Sequence, residues 1–234
     1  MSPPSDLRDR TTFRSFIEKS PWGLGLAPDD RERVLDTVRD EIFAKGQTLV
    51  RAADVALYWV GIVRGMVVQS VTQPDGYMSF LSAVGDGAWF GEGTLIKRAR
   101  WGYDAVALQE TRAVLMPLDT FEWLRDTSIP FNHFLQTLMN ARLATYIGTI
   151  LSSRHAPVQA RVATALSNLL GAGQPADGVQ LRLSQSELAM LAGTSRQRVN
   201  DALQRLAALG VVRPLRSGVL ILDAQALRAV GQTG

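Results

Sequence analysis

Two short runs toward the C-terminal end place hydroxyls, carboxamides and guanidinium groups at helical spacing. They are Ser184-Gln185-Ser186-Glu187 and Thr194-Ser195-Arg196-Gln197-Arg198, the second followed by Asn200, Asp201, Gln204 and Arg205. The chemistry of such groups is recognition. Hydroxyls and helix N-termini hold phosphates, and polar side chains on the first turns of a helix reach base edges in a major groove. Ser184, Ser186, Thr194 and Ser195 are placed for phosphate, and Arg198 can reach one. Ser184 and Thr194 can also cap helices, since a cap uses one lone pair. Gln197 has two readings: it closes a capping box with Thr194, or it reads adenine through both ends of its amide.

Those residues need two short helices and a turn to hold them. Ser184 with Glu187 is a capping box that starts the first helix, on which Leu188, Ala189, Leu191 and Ala192 are apolar. Gly193 makes the turn. Thr194-Ser195 caps a second helix, Arg196–Leu209, closed by Gly210. Val199, Ala202, Leu203, Leu206 and Leu209 are expected inward; Arg196, Gln197, Asn200, Asp201, Gln204 and Arg205 outward. Val179–Leu183 is a strand before the pair. Val211–Pro214 and Val219–Leu222, joined through Arg216-Ser217-Gly218, are a hairpin after it. The unit is a winged helix-turn-helix, with the second helix as the reader of double-stranded DNA and Ser184, Gln185, Ser186, Thr194, Ser195, Arg196, Gln197, Arg198, Asn200, Asp201 and Arg205 as its DNA-facing set.

Upstream the pattern changes twice. Residues 1–12 are polar, Thr12–Lys19 is a short helix, Ser20–Gly23 a turn, and Pro28-Asp29-Asp30 opens a helix through about Val38. From Glu41 to Pro117, β-rich runs alternate with turn signals, among them Val55–Val63, Met66–Thr72 and Tyr77–Ala83, with a hairpin turn at Gln73-Pro74-Asp75-Gly76. This reads as an antiparallel roll of about eight strands, with Ala105–Leu108 and Ala113–Met116 as its last pair. Leu118–Asp126 is a short helix. Pro130 then starts a helix reaching about Ser153, roughly 35 Å long. Phe131, Phe134, Leu135, Leu138, Leu143, Ile147 and Ile150 keep helical spacing on it. A helix this long outruns a small roll, so a second copy of itself is the economical partner. His155-Ala156-Pro157 is a hinge, Val158–Leu170 a helix, and 171–178 a Gly- and Pro-rich loop. The expected fold is α+β: an N-terminal antiparallel β-roll (a double-stranded β-helix or jelly-roll), a long dimerisation helix and a C-terminal winged helix-turn-helix. The expected divisions are 1–27 (arm), 28–129 (roll), 130–155 (dimerisation helix) and 156–234 (DNA-binding domain).

Composition narrows the alternatives. The chain has 234 residues, no cysteine and two histidines. Disulfides, cysteine-held zinc, iron–sulfur clusters and thiol catalysis are excluded. Net charge is +3, but residues 154–234 hold nine Arg against four acids, a balance of +5, while residues 1–153 sum to −2. The basic share sits on the part assigned to nucleic acid. No run approaches the length of a membrane span, and MSPPSDLRDR does not read as a signal peptide, so a cytoplasmic protein is expected.

The runs Leu183–Ala189 and Gly193–Val199 resemble those of the CRP/FNR superfamily of bacterial transcription regulators. Gly85-Asp86, Trp89-Phe90-Gly91-Glu92 and Ala160–Ala163 support the likeness. The resemblance covers about residues 20–222 and implies a non-enzymatic homodimeric regulator on a palindromic DNA site, working with RNA polymerase. It places Arg196 on a base-contact position and Gln197 where many members carry Glu. Asp201 falls where most carry a guanine-reading Arg, and Asp cannot donate to guanine. Asn200 is a further candidate reader.

The effector site departs further. Cyclic-AMP-binding members follow the Gly-Glu pair with an Arg-Ser that holds the phosphate; the count from Gly91-Glu92 reaches Tyr103-Asp104. The adenine-touching Thr-Ser of the long helix corresponds to Tyr146-Ile147. Two losses argue against cyclic AMP. Lys97, Arg98 and Arg100, with Trp101 or Tyr103 to stack, suit another small anionic ligand such as a cyclic dinucleotide, or form a solvated loop. The candidate effector set is Gly91, Glu92, Arg98, Arg100, Tyr103, Asp104 and Tyr146, and no metal site is expected. Haem would need His133 or His155, which lie on or after the long helix. Two alternatives stand beside this reading: a ligand-independent regulator with a vestigial roll, and a cupin-like enzyme, for which residues 41–117 supply no histidine.

Overall fold

The computed structural model describes residues 13–72, 78–153, 156–170 and 177–232. The expected turn at 73–76, the hinge residue His155 and loop positions 171–176 lie outside the described residues, as does the side chain of Ile150. The chain divides into two compact units, Met1–Asn140 and Ala141–Gly234.

The first unit opens with helix α1 at 13–19, then α2 (Pro21–Leu24) and α3 (Pro28–Thr37). The expected turn at Ser20–Gly23 is instead the start of a one-turn helix. Pro21 occupies its first position and the Ser20 hydroxyl accepts from the Gly23 amide at 3.0 Å. Proline is as welcome there as in a turn, which is why the signal was ambiguous. Eight strands follow: β1 (Arg39–Phe43), β2 (Thr48–Val50), β3 (Tyr58–Arg64), β4 (Met66–Thr72), β5 (Met78–Gly85), β6 (Trp89–Phe90), β7 (Asp104–Ala107) and β8 (Thr111–Pro117). They form two antiparallel sheets, ordered β1-β8-β3-β6 and β2-β7-β4-β5. This is the roll.

Two expectations fail in detail. β7 and β8 do not pair: β7 joins β2 and β4, and β8 joins β1 and β3. Apart from the β4–β5 hairpin, consecutive strands of this roll lie in different sheets, and sequence proximity does not report that crossing. The run Val55–Val63 also splits, because Val55 makes only an isolated bridge to Arg100 and the strand begins at Tyr58.

The core draws on both sheets and on the N-terminal helices. Ile17, Trp22 and Leu26, all within the segment 1–27, are buried in it. Its centre is aromatic. Trp59 and Trp89 stack at 4.1 Å between centroids, and Phe131 stands edge-on to both Trp59 and Trp22 at 5.4 Å. Such contacts contribute about 0.5–1.5 kcal/mol each beyond their burial. The short helix α4 (Glu92–Ile96) follows β6, and α5 (Leu118–Thr127) leads into α6 (Ile129–Ser153). Phe131 and Leu135 bury the first turns of α6 in the roll's core.

The second unit contains α7 (Val158–Leu169), β9 (Gln180–Leu181), α8 (Gln185–Leu191), α9 (Arg196–Ala208), β10 (Val212–Leu215), β11 (Gly218–Ile221) and α10 (Ala224–Gln232). The strands form one sheet, β10-β11-β9, in which Leu215 pairs with Gly218 across a two-residue tip of Arg216 and Ser217. α10 was not expected from the sequence. Asp223 caps it by accepting from the Ala226 amide at 2.8 Å, and it packs on α7 with Leu227 fully buried.

Candidate nucleic-acid interface and effector site

α8 starts with the expected capping box. The Glu187 amide donates to Ser184 Oγ at 3.1 Å, and the Ser184 amide donates to Glu187 Oε2 at 2.6 Å. α9 is capped by Ser195, whose hydroxyl accepts from the Arg198 amide at 3.4 Å. Thr194 has no part in that cap, and its Oγ1 is buried without a partner. The capping alternative for Gln197 therefore lapses, since the third residue after the Ser195 cap is Arg198. Gln197 is left exposed.

The inner face of α9 is Val199, Ala202, Leu203 and Leu206, all buried. Leu209, expected inward, is 61% exposed. The helix ends at Ala208 and the chain turns through Gly210 at φ +72°, which carries Leu209 off the buried stripe. The outer face is as expected: Arg196, Gln197, Asn200, Asp201, Gln204 and Arg205 are exposed, with Arg198 beside them. One contact joins the two helices on this side, Gln185 Nε2 donating to Asn200 Oδ1 at 3.2 Å.

A cleft of about 460 Å³ runs between the starts of α8 and α9 and the hairpin. Ser184, Gln185, Ser186 and Arg196 line one side and Arg216 the other. The hairpin is anchored by close backbone approach. Gly218 has φ +146°, and a Cβ there would lie 2.0 Å from the Leu181 carbonyl oxygen. Gln180 Nε2 also donates to Ser217 Oγ at 3.1 Å. Arg216, outside the residue set read from the sequence, is put opposite Arg196 only by this folding of the hairpin.

In the roll, Gly91 adopts φ +101°, and a Cβ there would meet the Trp101 ring at 2.5 Å. Trp101 in turn meets Tyr103 edge-on, at 5.5 Å between centroids. The structure thus gathers Gly91 and Tyr103 around Trp101. The Glu92 carboxylate is 3% exposed and accepts from Trp59 Nε1 at 3.4 Å. Asp104 Oδ1 accepts from the Ala52 amide at 2.8 Å. The arginines are engaged elsewhere. Arg98 donates to both oxygens of Glu122 at 2.7 and 3.0 Å, and hydrogen bonding to that carboxylate raises its pKa above the ordinary arginine value. Arg100 donates to the Ala53 carbonyl at 2.8 Å. Tyr146 is exposed on α6, in the second compact unit. His133 is also exposed. Among the described residues no group of three potential metal ligands occurs.

Gln69 and Ser82 were not singled out from the sequence. Gln69 is 1% exposed on β4, on the core-facing side it shares with Val67, and lies across from Ala105. Its Oε1 accepts from Ser82 Oγ at 2.5 Å, while its Nε2 is buried without a partner. The polar pair Gln69-Ser70 within the otherwise apolar run Met66–Val71 was the available signal.

Comparison with known proteins agrees with this geometry. The family model for the cyclic nucleotide-binding domain matches residues 40–128, and that for the Crp-like helix-turn-helix domain matches residues 160–230. The chain is 30% identical over 199 residues to the cyclic AMP receptor protein of Thermus thermophilus, covering 84% of this chain and 90% of that protein. It is 30% identical over 208 residues to the CRP-like cAMP-activated global transcriptional regulator of Mycobacterium tuberculosis, covering 87% and 92%. The fold is also that of FixK2 from Bradyrhizobium japonicum, with a TM-score of 0.68 at 18% identity over 84% of this chain and 98% of that one. The chain belongs to the CRP/FNR family of transcription regulators, with a cyclic nucleotide-binding domain followed by a Crp-like DNA-binding helix-turn-helix.

Proposed function

We propose that this regulator is a homodimer that binds a palindromic DNA site through α9 and answers to a small molecule other than cyclic AMP. The observation that carries the DNA reading is the face of α9. Seven polar residues, Arg196 to Arg198, Asn200, Asp201, Gln204 and Arg205, stand exposed on a helix whose other side is fully packed. Beside it lies a cleft flanked by Arg196 and Arg216. Dimerisation is supported by exposed apolar side chains on α6 at Met139, Leu143, Tyr146 and Ile147, spaced as one helical face. Unpartnered apolar stripes of this kind on long helices pair with a copy of themselves. RNA polymerase is the partner through which a DNA-bound regulator acts, and the cytoplasm is where both meet.

The effector reading rests on the roll. The curated relatives are named for cyclic AMP, yet Tyr103 and Asp104 stand where that ligand's phosphate partners are expected, and a carboxylate there repels phosphate. A cyclic dinucleotide is a candidate if it displaces Glu122 from Arg98. The engagement of Arg98 with Glu122 and of Asp104 with Ala52 also favours the second reading, a ligand-independent regulator.

Selection of bound duplexes from a random pool, with and without cyclic mono- and dinucleotides, tests all of this. A palindrome with two half-sites about one helical turn apart is expected. A non-symmetric product overturns the dimer reading. Arg196→Ala should lose preference at one base pair per half-site, while Ser195→Ala should weaken every duplex alike. Enrichment that depends on cyclic AMP alone overturns the effector reading. Enrichment unchanged by every nucleotide establishes the ligand-independent one.

A further inference from the structure

The contact between Gln185 and Asn200 is a polar bond that joins the two helices of the motif on the groove-facing side. Gln185 is the first residue of α8 and is half-buried; Asn200 is the fifth residue of α9 and is exposed. A carboxamide has one acceptor end and one donor end, on opposite sides of its carbon. With Oδ1 turned to Gln185, the amide nitrogen of Asn200 is the end left for a partner outside the motif. An unconstrained asparagine reads adenine by using both ends at once, accepting from N6 and donating to N7. Here the bond takes one of the oxygen's two lone pairs and holds that end toward α8, so the amide cannot set both ends against one adenine edge.

We propose that the Gln185–Asn200 bridge makes Asn200 a hydrogen-bond donor in the groove, so that it selects an acceptor edge, guanine or thymine, in place of adenine. This rests on α9 being the reading helix. The next residue, Asp201, is exposed and offers acceptors only, which suits the donor edge of cytosine or adenine. Adjacent positions of α9 thus present a donor and then an acceptor. That pairing comes from the bridge, since without it Asn200 could turn either end to the groove.

The test is selection from a random duplex pool with the full-length protein and three variants. Asn200→Ala locates the base pair, as the symmetric position in each half-site whose preference alone disappears. Gln185→Lys can only donate, so Asn200 keeps its orientation and guanine or thymine stays enriched there. Gln185→Glu can only accept, so Asn200 must turn its nitrogen inward and present its oxygen. Cytosine or adenine should then rise at least about fivefold at that position, relative to guanine and thymine within the same pool. Where Gln185→Glu binds too weakly to be selected, Gln185→Leu releases Asn200, and adenine should rise about fivefold in direct competition between duplexes differing at that pair. The same base enriched by wild type, Gln185→Glu and Gln185→Leu overturns the proposal, as does adenine enriched by wild type. If neither Arg196→Ala nor Asn200→Ala changes a base preference, the assignment of α9 as the reader fails instead, and the bridge's role with it.

Discussion

Asp201→Asn should tighten binding to DNA of random sequence. Asp201 is exposed on the outer face of α9 and has no ion-pair partner among the described residues. A B-form major groove is about 12 Å wide, so a carboxylate midway across it lies about 6 Å from the phosphates of either wall. One such pair of like charges costs about 0.7 kcal/mol at the dielectric of water and about 2.8 kcal/mol at the value suited to a protein surface. Salt at 0.15 M, with a screening length of about 8 Å, roughly halves each pair, and the two walls roughly restore the sum. Taking the lower figure for each protomer, a dimer gains about 1.4 kcal/mol when both charges are removed, which is tenfold in affinity. The assay is fluorescence anisotropy of a labelled random duplex between 50 and 300 mM salt, with circular dichroism to confirm the fold. The wild type and the variant should converge as salt rises. Random-duplex affinity unchanged or weakened in a folded Asp201→Asn protein would refute the placement of Asp201 in the groove. The same variant should lose discrimination against mismatches at the base pair that Asp201 reads.

Three further outcomes follow from packing and capping. Ser184→Ala removes one half of the α8 capping box and should lower the stability of the second unit by about 1 kcal/mol in denaturant titration, with no loss if water replaces the cap. Gly218→Ala sets a Cβ against the Leu181 carbonyl at a backbone angle that alanine avoids; a loss above about 3 kcal/mol is expected, and a near-neutral result would contradict the β9–β11 pairing. Gln69→Leu removes a buried amide nitrogen without a partner and should stabilise the ligand-free protein by about 1 kcal/mol, a rise in melting temperature of about 2–4 °C. A fall of that size would show that the amide is satisfied.

The second unit was the more legible of the two. Capping residues, the turn glycine and the apolar stripe of α9 act within a few residues of one another, so local spacing reported them. Leu209 failed because the helix ends one residue before it, and helix ends are where a periodic pattern loses its meaning. α10 was missed because its apolar surface makes sense only against α7, some sixty residues earlier. In the roll, strand existence was readable and strand partnership was not. β7 and β8 are neighbours in sequence and members of different sheets.

The residue types of the reading helix, the lack of cysteine and the skew of positive charge toward the C-terminal third are properties of the chain alone. Each follows from local chemistry or from counting; the helix residues and the charge skew pointed to DNA, and the lack of cysteine excluded a cysteine-held iron–sulfur cluster. Tertiary structure decided how those groups are employed. It joined Gln185 to Asn200, turned the Thr194 hydroxyl inward, and set Arg216 across a cleft from Arg196. In the roll it engaged Arg98 with Glu122, twenty-four residues away. A hydrogen bond forms between whichever donor and acceptor folding brings within about 3 Å, and sequence spacing carries that information only when both lie on one element.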